Sequence, residues 1–198
     1  ARLPAAQLDL LAWLKQYYPA PLATIVQLFL PPKVGEPLTT DPKPKSVTKL
    51  PPLTSEQASA LKLLPATKTS TALLHGDTGT GKTRVYLELA RKSLAGGKSV
   101  IVLVPEIGLT PQMIEFFEAQ FPGLVHSINS NMTPKQRRET WRAIHDSSSP
   151  QVVIGPRSAL FMPVKNIGLI VVDEAHDTGY KQDQLPYYEA TRAAAKLA

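Results

Sequence analysis

Two patterns of apolar and polar positions divide the chain. Over Gln7 to Tyr18, Leu8, Leu11, Leu14 and Tyr18 recur at helical spacing, and Pro21 opens a second helical stretch carrying Leu22, Ile25, Val26 and Phe29. These residues predict a short helical hairpin, residues 1–30, too small to enclose a core of its own and therefore expected to pack on something else. From Leu53 onward the pattern changes to short β-branched runs alternating with helical segments. Strands are predicted at Thr71 to His75, Ser99 to Val104, Leu124 to Ser127, Gln151 to Gly155 and Ile167 to Asp173. The stretches between them are long enough for crossovers, which argues for an α/β fold, a parallel sheet with helices on both faces. Helix starts are legible too. Thr54 with Gln57, and Thr133 with Pro134 and Gln136, form capping boxes; Thr110 precedes Pro111; Gly96-Gly97 ends another helix.

Between the two patterns, ten of the 19 prolines fall within residues 1–52, and residues 31–52 hold seven prolines and four aliphatic residues. That stretch buries too little to fold and is predicted to run extended as a stiff linker. The organisation expected is therefore helical segment 1–30, linker 31–52 and α/β domain 53–198. The 198 residues are 43% hydrophobic and 19% charged, ample for one core and incompatible with a disordered tail. No run approaches the about eighteen apolar residues of a membrane span, and no secretion signal is visible, so a cytoplasmic protein without membrane contact is expected. With no cysteine, thiol chemistry, disulfides and Cys-ligated metals are excluded, and the four histidines show no metal-ligand spacing. The net charge of +6 is compatible with a polyanionic partner.

The most specific motif is Gly76-Asp77-Thr78-Gly79-Thr80-Gly81-Lys82-Thr83, which fits G-x-x-x-x-G-K-[ST] between a predicted strand and a predicted helix. Such a loop curls on its glycines so that successive backbone N–H groups face phosphate oxygens, and the helix beginning near Lys82 adds its positive end. Lys82 would reach the β- and γ-phosphates of ATP and Thr83 would hold Mg²⁺. The second motif is the apolar run from Gly168 that delivers Asp173 and Glu174 at its C-terminal end, where parallel sheets bind ligands. One acid is needed for the metal and one for the nucleophile: Asp173 would hold Mg²⁺ and Glu174 would orient and deprotonate the attacking water.

Asp173-Glu174-Ala175-His176 together with the P-loop is similar to superfamily 2 helicases. Three further stretches, Val104 to Gln112, Ile154 to Phe161 and His176 to Gln182, closely resemble the PriA family of primosomal replication-restart helicases, as does Tyr17 to Leu22 with Leu30-Pro31-Pro32. The resemblance implies a RecA-like P-loop NTPase lobe belonging to an ATP-dependent 3′-to-5′ DNA helicase, with residues 1–30 a remnant of its N-terminal DNA-binding region. Its partners would be single-stranded and forked DNA, other primosome and replication-restart proteins, and single-stranded DNA-binding protein. It also implies roles for individual residues. Gln57 would lie near the adenine, although a capping-box glutamine is an equally good physical reading. Thr110, Gln112, Arg157 and Ser158 would line the path of single-stranded DNA, with a helix cap competing at Thr110 and an internal ion pair at Arg157. His176 would couple nucleotide state to the DNA-facing surface. Tyr180, Lys181 and Gln182 resemble an aromatic-rich loop through which DNA triggers hydrolysis, a partly exposed loop anchor being the alternative for Tyr180. The helix from Thr133 to Asp146 carries Lys135, Arg137, Arg138 and Arg142; it is read either as a phosphate-facing patch or as a solvated outer helix packing through Trp141 and Ile144.

Some positions depart from that family's pattern: Ala175 replaces an acid, Pro156 a threonine, Arg84 stands where an acid is usual, and Ser127-Ile128-Asn129 lacks a glycine. The chain starts on Ala and stops soon after Asp173-Glu174, so an excised piece is expected, without the second helicase lobe, its zinc-binding insertion or its arginine finger. Since such fingers are worth about 10³–10⁵ in rate, the single lobe is expected to bind ATP–Mg²⁺ weakly and not to unwind DNA. The other readings carried forward are a lobe of a different superfamily 2 translocase and a non-catalytic P-loop module that senses nucleotide.

Overall fold

The computed structural model describes residues 2–32, 50–64, 71–77 and 79–198. Most of the 31–52 linker therefore lies outside the described residues. Four strands, β1 (Ser99–Leu103), β2 (Val125–Ser127), β3 (Val152–Gly155) and β4 (Ile167–Val172), form one sheet in the order β2-β3-β1-β4. All three pairings are parallel: Val102 lies opposite Ile154 on β3 and Val171 on β4, and Ser127 of β2 opposite Ile154. The expected α/β architecture is present.

β1 is buried along its whole length, and its alternation distributes residues to two cores. Val100, Val102 and Val104 join Val152, Ile154 and Val171 against α4 (Lys82–Ala95) and α5 (Pro111–Gln120), through Tyr86, Leu87, Ala90 and Phe117. Ile101 and Leu103 join Val153 on the opposite face. There they meet the N-terminal hairpin, α6 (Pro134–Asp146), the 3-10 turn Arg157–Phe161 and α7 (Ala190–Leu197).

The hairpin, α1 (Ala5–Tyr17) and α2 (Leu22–Phe29), is thus a layer of the lobe. Leu10, Leu14, Ile25 and Phe29 are fully buried, and the Phe29 ring meets Phe161 edge-on at 5.0 Å. Three long-range hydrogen bonds fix its seat. Gln7 Nε2 donates to the carbonyls of Leu160 (3.1 Å) and Met162 (2.8 Å), and Trp141 Nε1 donates to the carbonyl of Phe29 at 2.7 Å. The buried stripe differs from the one expected: Gln7, Leu10 and Leu14 face the core while Leu8 is exposed, because two accepting carbonyls make a buried glutamine tolerable at that position. α6 uses Trp141 and Ile144 for packing, which favours the outer-helix reading over the phosphate-facing patch. α7, which no motif had signalled, buries Ala190, Ala193, Ala194 and Leu197 at helical spacing against α1.

Both capping boxes form, at Thr54–Gln57 of α3 (Ser55–Leu63) and at Thr133–Gln136 of α6. The strand expected at Thr71–His75 does not. That segment is irregular and Leu73 is 86% exposed, because a strand exists only through a neighbour's ladder and, among the described residues, β4 is bonded to β1 alone.

Because Phe29 lies between the hairpin and the sheet, Phe29→Ala should cost about 3–5 kcal/mol, read as a lowered midpoint in urea denaturation. A hairpin that merely rests on the surface would leave the midpoint unchanged.

Candidate functional site

The site lies where α4 begins and β4 ends. Gly79 and Gly81 hold φ values of +84° and +81°, a region that costs other residues energy, so the loop can double back before the helix. Thr80 closes the turn by donating its hydroxyl to the Asp77 carbonyl at 2.8 Å. Lys82 folds back over the loop. Its Nζ donates to the carbonyl of Gly76 at 2.7 Å and lies 3.7 Å from Glu174 Oε1. Gly76, Asp77, Gly79, Thr80, Gly81, Lys82 and Thr83 are thereby arranged as a loop ahead of a helix N-terminus, with Thr83 in the first turn of α4; Thr78 lies outside the described residues.

Gln57 combines two functions. Its Oε1 accepts from the Thr54 amide within the capping box at 3.1 Å, and its Nε2 donates to the Gly81 carbonyl at 3.3 Å. The capping reading and a place beside the P-loop therefore hold together, since the cap orients the amide toward the loop. Arg84 supports the same corner. It donates to the Pro51 carbonyl at 2.7 Å, just ahead of α3, and pairs with Glu88, which also pairs with Arg91.

At the end of β4 the ladder continues one bond further, from the Asp173 amide to the Leu103 carbonyl. The Asp173 carboxylate accepts at Oδ1 from the Tyr86 hydroxyl at 3.0 Å and from the Glu174 amide at 3.1 Å. Glu174 has φ +45°, a strained value for a side chain with a Cβ, and this turn directs its carboxylate toward Lys82 on one side and His176 Nε2, 3.7 Å away, on the other. His176 itself is largely exposed. Burial, reinforced by Asp173 and Glu174, pushes the Tyr86 and Tyr180 hydroxyls well above the ordinary tyrosine range, so both remain hydrogen-bond donors at neutral pH. Tyr86 is the residue that motif reading missed; its only sequence signal is its position three residues after Thr83 on the same helix face.

The residues expected to meet DNA separate into two groups. Thr110 caps α5, its hydroxyl accepting from the Met113 amide, and both it and Gln112 are exposed. Lys181 is exposed, and Ser158 and Gln182 are half-buried. Tyr180 instead faces inward, and Arg157, half-buried like Ser158, is engaged by the protein's own backbone. Arg157 Nη1 donates to the Gly179 carbonyl at 2.5 Å, an internal contact that involves a carbonyl rather than the carboxylate anticipated. Tyr180 is 2% exposed and donates to the Asp173 carbonyl at 2.7 Å, more enclosed than the partly exposed loop anchor considered for it. The exposed ring of this segment is Tyr187. It lines a cleft of about 590 Å³ together with Tyr18, His176, Lys181 and Arg192.

The donor set suits a nucleotide and its cation: a loop of backbone N–H groups, a lysine, a hydroxyl in the first helical turn, and two carboxylates on the facing strand end. Among the described residues no group of three or more His, Asp or Glu is placed to hold a metal alone, and no helix is long and apolar enough to cross a membrane. Mg²⁺ held here would therefore complete its coordination with phosphate oxygens.

Gly81→Ala should disturb this corner in two ways. A Cβ there would stand 2.5 Å from Gln57 Nε2, and the left-handed backbone would cost about 1–2 kcal/mol. Urea denaturation should register the loss of stability, while Gly79→Ala, whose Cβ would meet nothing within 4 Å, should show the backbone cost alone.

The family model of DEAD/DEAH box helicases matches residues 54–196. Among characterised proteins, the chain is 44% identical to the replication restart protein PriA of Bacillus subtilis over 151 residues, 74% of this chain and 19% of that protein. It is 40% identical to PriA of Rickettsia felis over 189 residues, 94% of this chain and 29% of that protein, and 39% identical to PriA of Helicobacter pylori over 184 residues. The chain thus spans less than a third of the length of these relatives.

Proposed function

Because the chain belongs to the DEAD/DEAH box helicase family, we propose that it is the ATP-binding lobe of a PriA-type 3′-to-5′ DNA helicase acting in the cytoplasm in replication restart and primosome assembly. The observation that carries this reading is the convergence of Lys82, Glu174 and Asp173 on one corner, with Lys82 and Glu174 3.7 Å apart across the junction of α4 and β4. In this reading Lys82 exchanges the Gly76 carbonyl for the β- and γ-phosphates, and the P-loop amides take the remaining phosphate oxygens. Thr83 and Asp173 hold Mg²⁺, which when bound neutralises charge on the phosphates. Glu174 accepts the proton of the attacking water at its carboxylate, which the left-handed turn aims back over the P-loop.

Gln57, tied to Gly81, lies beside the adenine, and Arg84 holds the segment that carries it. Single-stranded DNA follows Thr110, Gln112 and Ser158 by phosphate contacts, then Lys181, Gln182 and the Tyr187 cleft, whose mix of cationic and aromatic side chains suits a strand bound without sequence preference. Arg157 and Tyr180 act from behind that surface, and His176 links it to Glu174. Forked DNA, single-stranded DNA-binding protein and other primosome proteins are the partners of the whole protein. Taken by itself, this lobe binds ATP–Mg²⁺ weakly and does not translocate, since translocation needs two lobes that open and close.

Calorimetric titration of the chain with ATP–Mg²⁺ tests this reading, with Lys82→Ala as its control: binding that the substitution abolishes supports it, and absence of binding by the unsubstituted chain overturns it. In the full-length protein, Glu174→Gln should retain ATP binding and lose most of its DNA-stimulated hydrolysis. Unchanged hydrolysis would favour a module that only senses nucleotide.

A further inference from the structure

Asp173 is braced by phenols from two sides. Tyr86 reaches its carboxylate from α4 at 3.0 Å, and Tyr180 reaches its backbone carbonyl at 2.7 Å from the turn that follows β4. Tyr86 is 7% exposed and Tyr180 2%, so neither hydroxyl has bulk water as a ready alternative partner. Both hydrogen bonds to the carboxylate, from Tyr86 and from the Glu174 amide, fall on Oδ1. The other oxygen, Oδ2, is therefore the one presented to a cation. This is the arrangement by which an outer donor fixes the rotamer of a metal-binding carboxylate.

Tyr86 has a second geometric consequence. It follows Thr83 by three residues in α4 and shares its helix face. The hydrogen bond from Tyr86 to Asp173 thus ties the helix that carries the Thr83 hydroxyl directly to the carboxylate at the strand end, alongside the apolar packing of Leu87 and Ala90 and the Lys82–Glu174 pair.

We propose that Tyr86 is a positioning residue for the divalent cation of the bound nucleotide, acting through Asp173 Oδ1. The inference rests on the reading of the P-loop corner as an ATP site. It assigns Tyr86 no contact with nucleotide.

The test is a Mg²⁺ titration of the 198-residue chain in the presence of a fluorescent ATP analogue, for the unsubstituted chain and for Tyr86→Phe, which keeps the ring and removes the hydroxyl. In EDTA the two should bind the analogue equally. With Mg²⁺, Tyr86→Phe should need about 10-fold more cation for half-maximal enhancement, and in an Asp173→Ala background the same substitution should add no further shift. Far-UV circular dichroism checks that Tyr86→Phe is folded. Equal Mg²⁺ midpoints overturn the proposal, as does a parallel loss of affinity in EDTA, which would mark Tyr86 as a packing residue of α4. If the unsubstituted chain binds no analogue in either condition, the nucleotide reading fails and the proposal falls with it; if it binds and only the Mg²⁺ difference is missing, the nucleotide reading stands and Tyr86 alone loses its role.

Discussion

An all-parallel sheet has two apolar faces, and neither can be left to water. That requirement organises the rest of this molecule. β1, buried from end to end, sends Val100 and Val102 to one side, continued by Val104 just beyond it, and Ile101 and Leu103 to the other. The first side is covered by α4, which leads into β1, and by α5, the crossover from β1 to β2. The second side draws on both ends of the sequence: the N-terminal hairpin and α7 meet there, with α6 and the Arg157–Phe161 turn completing the layer. Residues 2–30 therefore form part of the sheet's cover although the proline-rich stretch separates them from the domain in sequence. Trp141 and Gln7 each spend a side-chain donor on a backbone carbonyl across that boundary, which ties register to packing.

The same sheet creates the site. Parallel strands end together, so the termini of β1 and β4 and the loop ahead of α4 converge at one edge of the domain. Within that edge, three residues at left-handed backbone angles shape the chemistry: Gly79 and Gly81 let the loop turn, and Glu174 turns its own carboxylate back toward Lys82. The glycines adopt that conformation at little cost. Glu174 adopts it against its preference, and the ion pair with Lys82 and the Asp177 amide bonded to its carbonyl hold it there. Strain at the residue read as the general base fits the tendency of such backbone outliers to occur where geometry matters for function.

Behind the surface read as the DNA path runs a set of internal contacts, Arg157 to the Gly179 carbonyl, Tyr180 to the Asp173 carbonyl, and Asp173 to Tyr86. Of the two residues that looked suited to grip a strand, Tyr180 is joined to the acid that would hold the cation and half-buried Arg157 to the turn beside it. A guanidinium and a phenol can serve either purpose, and for the phenol burial decides which. Tyr180 is enclosed and its hydroxyl satisfied within the protein, whereas Tyr187, seven residues later, remains open to solvent beside Lys181 and Arg192.

Sequence alone determined the features that depend on neighbours in the chain. The P-loop requires glycines at fixed offsets, the capping boxes at Thr54 and Thr133 require a side chain three residues away, the acids follow an apolar strand, and the parallel α/β class follows from alternating periods. All of these are local, so spacing is enough to reveal them. What tertiary structure decided are the properties that depend on a distant partner. Leu8 faces solvent and Gln7 the core because two carbonyls some 150 residues later accept its amide. Thr71–His75 stays irregular because no ladder is formed with it among the described residues. α7 escaped notice because alanines carry little hydrophobic contrast, although their close packing on α1 needs small side chains. Tyr86 could be read in sequence only as an aromatic residue of an amphipathic helix, since its importance lies in a hydroxyl that meets Asp173 across 87 positions of chain. Periodicity reports which face of an element is buried; it is silent on which atoms that face will touch.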